Sequence, residues 1–128
     1  MTVRIVRLGS PRLPGEGVRI GTVRRPPRGV RRADWAAQDW FDVWYPELAP
    51  AAQTIARARD DADPRAWPAF AKAYRRERAA PAPSRTLDLL AALSHHADFA
   101  VGCYCADEAR CHRSLLRALL AERGADLG

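Results

Sequence analysis

Apolar and basic positions alternate along Val3-Arg4-Ile5-Val6-Arg7-Leu8, so Val3, Ile5 and Arg7 fall on one side of an extended chain and Arg4, Val6 and Leu8 on the other. This is the period of a strand. Gly9-Ser10-Pro11 and Pro14-Gly15-Glu16-Gly17 interrupt it, and the run Val18 to Val23 reads as a second strand. Arg24-Arg25-Pro26-Pro27-Arg28-Gly29 excludes regular structure, because adjacent prolines donate no backbone hydrogen bond and bias the preceding residue away from helix. A helical period returns at residues 51–59. Asp63-Pro64 reads as an N-cap and first-turn pair for the next helix, which puts Trp67, Phe70 and Tyr74 on one core-facing stripe. Ser84 is the expected cap of a third helix running through Leu87, Leu90 and Leu93 to His95. His95 and His96 then serve as capping or surface residues near its C-terminus. Asp98 to Tyr104 supplies a further strand, and Cys111 to Arg123 a final helix closed by Gly124. The order of strand, strand, helices, strand, helix predicts a small α/β sheet with flanking helices.

Length and composition refine this picture. The 128 residues fit one domain spanning 1–128, and 48% apolar with 28% charged residues places the chain in the globular class. No apolar run nears the roughly 18 residues of a membrane span. The N-terminus has no continuous apolar signal region, so the expected location is cytoplasmic. Three cysteines, two of them one residue apart, do not suit an oxidised secretory scaffold. The net charge is +6, and of 21 basic residues only Lys72 is a lysine. Arginine holds phosphate and carboxylate through paired donors, so an anionic partner is expected, either a small ligand or nucleic acid. Between Trp35 and Tyr45 the chain gathers three tryptophans, Phe41 and Tyr45. They can pack over the sheet or offer a platform to a planar ligand.

The chemistry concentrates in Gly102-Cys103-Tyr104-Cys105-Ala106-Asp107-Glu108-Ala109-Arg110-Cys111-His112-Arg113-Ser114, which holds every cysteine of the chain. In an extended chain Cys103 and Cys105 share a side. Cys111 stands at the expected start of a helix, where free backbone amides favour a thiolate. His112 adds a base, Arg113 an anion clamp and Ser114 a hydroxyl. A phosphatase loop would place arginine six positions after its cysteine, where Cys105 instead meets Cys111. Cys103, Cys105, Cys111 and His112 are also ligand types for zinc. Their spacing argues against zinc, because adjacent residues on a helix diverge by about 100°.

Cys105-Ala106-Asp107 followed by Cys111-His112-Arg113-Ser114-Leu115-Leu116 resembles the signature of the domain of unknown function 488 family. Arg24, Pro27-Arg28-Gly29-Val30, Trp44, Leu48-Ala49-Pro50, Trp67, Phe70 and Tyr74 extend the likeness along nearly the whole chain. Relatives tend to read Asp-Arg-Leu-Trp-Pro-Arg-Gly where this chain reads Val23-Arg24-Arg25-Pro26-Pro27-Arg28-Gly29, without the acid and the tryptophan. The resemblance implies a compact Rossmann-like domain with Arg24 and Arg28 on a loop close to the Cys-His-Arg segment. The leading expectation is therefore a site for a small phosphate- or nucleotide-like anion. Arg24, Arg28, Arg113, Ser114, Cys105 and Asp107 would bind it, and Cys111 and His112 would supply chemistry. A nucleic-acid-associated basic module and a thiol redox or metal sensor are the alternatives. No cofactor is assigned.

Overall fold

The computed structural model describes residues 1–57 and 62–128. Four strands, β1 (Val3–Arg7), β2 (Val18–Gly21), β3 (Val43–Trp44) and β4 (Phe99–Cys103), form one sheet in the order β1-β4-β2-β3. Every pairing is parallel, with Val3 opposite Phe99 and Arg7 opposite Cys103 on one side of β4, and Val18 opposite Phe99 and Gly21 opposite Gly102 on the other. The central strand is buried throughout, as its unbroken run Phe-Ala-Val-Gly-Cys requires.

Helices α1 (Ala52–Arg57), α2 (Ala66–Arg78), α3 (Pro81–Leu93) and α4 (His112–Glu122) complete the described structure. Helices α2, α3 and α4 pack against one another and share a core with the strands, in which Phe70, Tyr74, Leu87, Leu90, Leu116 and Leu120 meet Val3, Phe99 and Val101. The expected stripe is thus core: Phe70 and Tyr74 are buried, and Trp67 packs half-buried against them. The small α/β fold with flanking helices is as the strand and helix order predicted, and its sheet is parallel throughout.

The other face of β2 is covered by loop. Gly21 lies beneath Phe41 so closely that an added Cβ would sit 2.3 Å from the ring. Arg19, also on that face, is fully buried. Its guanidinium donates to both carboxylate oxygens of Glu16 at 2.8 and 2.9 Å and to the carbonyls of Ser10 and Asp39 at 2.8 Å. One arginine therefore ties the β1–β2 connection and the 39–42 segment to the sheet.

Several boundaries differ from expectation for identifiable reasons. Helix α2 begins at Ala66 rather than after Asp63, because Asp63 is spent on a preceding turn: its carboxylate accepts from Arg65 N–H and its carbonyl from Ala66 N–H. Helix α3 begins at Pro81, three residues before Ser84. Proline at the first helical position lacks only an N–H that the helix end leaves unpaired, so Pro81 opens the helix and Ser84 N–H donates to Ala80 O inside it. Helix α4 ends as expected, with Gly124 at φ +79° just beyond it. The strand β3 was not foreseen, and β2 stops at Gly21 rather than Val23. The part of the first expected helix at Ala58 and Arg59 lies outside the described residues. Among the described residues no helix is long and apolar enough to cross a membrane.

Candidate functional site

Because all four strands run the same way, the ends at Arg7, Gly21, Trp44 and Cys103 fall on one edge of the sheet. A cleft of about 1570 Å³ opens there. It is lined by Arg7–Ser10 after β1, Val23–Arg28 after β2, Trp44 of β3, Cys103–Cys105 at the end of β4, and Arg110–His112 leading into α4. Ligand sites in open α/β sheets collect at this edge, where loops leave the strands.

The floor of the cleft is a thiol and imidazole cluster. Cys103 and Cys111 are each 2% exposed, whereas Cys105 is exposed. Cys111 Sγ lies 3.8 Å from His112 Nδ1, and the ligand atoms of Cys103, Cys111 and His112 all lie within 4.8 Å of one another. The divergence expected of adjacent helical residues does not arise, because Cys111 is the cap of α4, with extended φ −127° and ψ 152°. Its side chain is free to fold back beside the ring of His112.

His112 is oriented from behind. Its Nε2 lies 2.7 Å from Thr22 O and 3.2 Å from Thr22 Oγ1, while Thr22 Oγ1 itself donates to Gly102 O. Contact with a carbonyl makes Nε2 the protonated nitrogen, which leaves the lone pair on Nδ1 toward Cys111. Burial lowers the His112 pKa to about 4 against the opposing hydrogen bond to Thr22, so the ring is neutral at physiological pH. Tyr74, with its ring centroid 5.5 Å away, packs against the imidazole.

The three thiols shift one another's acidity in opposite directions. Donation from Cys103, then from Cys111, lowers the Cys105 pKa despite partial burial. Cys103 is raised, first by its bond to Cys105. In Cys111 the bond with Cys103 lowers the pKa, but Cys105 and burial outweigh it and the net shift is upward.

The residues expected from sequence separate into two groups. Arg24, Arg28, Cys105, Cys111 and His112 all line the cleft, together with Cys103. Arg113, Ser114 and Asp107 do not. Arg113 is buried and donates from Nη2 to Cys105 O at 2.6 Å, which holds the Cys105 loop in place. Ser114 Oγ donates to Cys111 O, and Asp107 accepts from Ala109 N–H to cap the short turn Glu108–Arg110. Short polar side chains beside a helix start find backbone partners within reach, so these serve local structure.

Arg7, Arg25 and Arg110 join Arg24 and Arg28 in the lining. Arg7 could have been found as the last residue of the first strand, and Arg110 by its adjacency to Cys111. The lining thus has five arginines and no aspartate or glutamate. None of these five makes an ion pair among the described residues, whereas Arg12, Arg19, Arg31, Arg65, Arg75, Arg78, Arg117 and Arg123 all do. The aromatic segment divides between packing and the cleft lining. Trp35 and Phe41 pack edge to face at 4.8 Å, while Trp40 and Trp44 line the cleft, Trp44 Nε1 donating to Val23 O.

A family model described as "Active DUF488-N3 subclade" (DUF488-N3a) matches residues 3–124. Among curated proteins and solved structures nothing matches the chain.

Proposed function

The chain belongs to the domain of unknown function 488 family, and from that premise we propose that its cleft binds a small anion of the phosphate or nucleotide class. The observation that carries this reading is the lining of five arginines without one carboxylate. Like charges gathered without counter-charge repel one another, and a bound anion relieves that repulsion while accepting paired N–H donors. Trp40 and Trp44 on the same wall can stack on a planar group carried by the anion. Cys111 and His112 at the floor would face the reacting end of the ligand.

Titration with pyrophosphate and with ADP, followed by tryptophan fluorescence and calorimetry, tests the reading. Arg28→Ala should weaken binding by about tenfold or more, as expected for a charged hydrogen bond worth about 1.5–3 kcal/mol. Arg85→Ala, exposed on α3 and outside the cleft, should not. Equal affinity in wild type, Arg24→Ala and Arg28→Ala would count against the proposal. The combination of arginines and tryptophans on an open wall also supports a second reading, in which the anion is a single-stranded nucleic acid backbone. Binding to an oligonucleotide would then fall with salt at a slope of about −0.7 per phosphate contacted.

A further inference from the structure

We propose that Cys103, Cys111 and His112 are three ligands of one divalent ion of the zinc class, whose fourth position opens onto the cleft where the Cys105 thiol stands. The three ligand atoms lie within 4.8 Å of one another, and among the described residues no second group of His, Cys, Asp or Glu side chains converges in this way. In a tetrahedral site with zinc–sulfur bonds of about 2.3 Å and zinc–nitrogen bonds of about 2.0–2.1 Å, neighbouring ligand atoms stand roughly 3.5–3.8 Å apart. The 3.8 Å between Cys111 Sγ and His112 Nδ1 is already at that spacing.

The support around the imidazole has the form a metal ligand needs. Nε2–H donates to Thr22 O, so the lone pair sits on Nδ1 and the carbonyl raises its basicity. Thr22 is itself held by its hydroxyl on Gly102 O, and Tyr74 packs against the ring. Cys103 is the last residue of β4 and Cys111 the cap of α4, so two rigid elements deliver the sulfurs. Two thiolates with an imidazole are soft donors that select zinc over magnesium or calcium. Cys105 is exposed and lines the cleft two residues beyond Cys103, which puts it beside the open corner. As the ion binds, each coordinating thiol gives its proton to solvent.

The reduced full chain, stripped with chelator and titrated with Co²⁺, should take up one equivalent. Tetrahedral visible bands and thiolate-to-cobalt charge transfer should appear and then be bleached by one equivalent of Zn²⁺. Zinc should also slow modification of Cys103 and Cys111 in the wild type, a readout that needs no variant to fold. Cys111→Ser and His112→Gln should each weaken metal binding at least tenfold, whereas Cys105→Ser should retain the ion with reduced charge transfer. No cobalt uptake, thiols that react equally fast with and without zinc, or loss of the ion in Cys105→Ser would overturn the assignment. Pyrophosphate binding measured on the stripped chain keeps the anion reading separate, because the arginine wall does not depend on the ion.

Discussion

Arg19 ties Ser10, Glu16 and Asp39 together through one guanidinium. It is fully buried with its charge met by Glu16, and removing one partner of such a pair strands the other in a low-dielectric interior. Glu16→Gln is therefore expected to cost about 3–5 kcal/mol, read as a lower urea midpoint at unchanged slope. Burial pushes the Glu16 carboxyl up, but hydrogen bonds from Arg19 and Leu13 and the charges of Arg19 and Arg12 outweigh it, so its pKa lies below the ordinary 4.5. A depressed folded-state pKa contributes stability that is complete above the unfolded value and lost as pH falls through the folded one. Acid unfolding below about pH 4.5 should accordingly be shallower in Glu16→Gln than in wild type. The thiols differ by exposure in the same local way: in the metal-free chain, iodoacetamide should label Cys105 before Cys103 and Cys111, read by peptide mass mapping. The sequence marked all three cysteines and His112 as chemical. It could not show that Arg113 turns to Cys105 O, because a side chain's partner depends on which backbone stands opposite.

At the scale of elements, β2 is shaped by what covers it. Gly21→Ala places a Cβ against the Phe41 ring and should destabilise by about 1–3 kcal/mol in urea unfolding. Much of that loss should return in Gly21→Ala/Phe41→Leu; if it does not, ring contact is not the cause. The strands β1 and β4 were legible because runs of Val, Ile and Phe flanked by turn residues reflect local chain preference. Two-residue β3 was not, since Val43 and Trp44 become strand only by pairing with Ile20 and Gly21. The start of α3 lies ahead of the expected cap Ser84 for the opposite reason. Pro81 follows extended Ala80, and a proline so placed opens a helix as readily as it ends one.

Across the whole molecule, the parallel sheet converts scattered sequence signals into one cleft. A ligand that binds only the folded state stabilises it by linkage, about 2.7 kcal/mol at a hundred times its Kd. Pyrophosphate should thus raise the Tm of the wild type but not of Arg24→Ala/Arg28→Ala, measured with the same protein concentration. The α/β class, the family signature and the core stripe of Phe70 and Tyr74 are legible in the chain alone. Those follow from local periodicity and residue type. The folded chain places Arg7 and Arg110 beside Arg24 and Arg28 in the cleft lining and turns Arg113, Ser114 and Asp107 to backbone partners. It also brought Cys111 Sγ beside His112 Nδ1, through a cap conformation that a helical wheel does not contain. Parallel strands gather their ends from residues 7, 21, 44 and 103, and separations that long have no signature in local pattern.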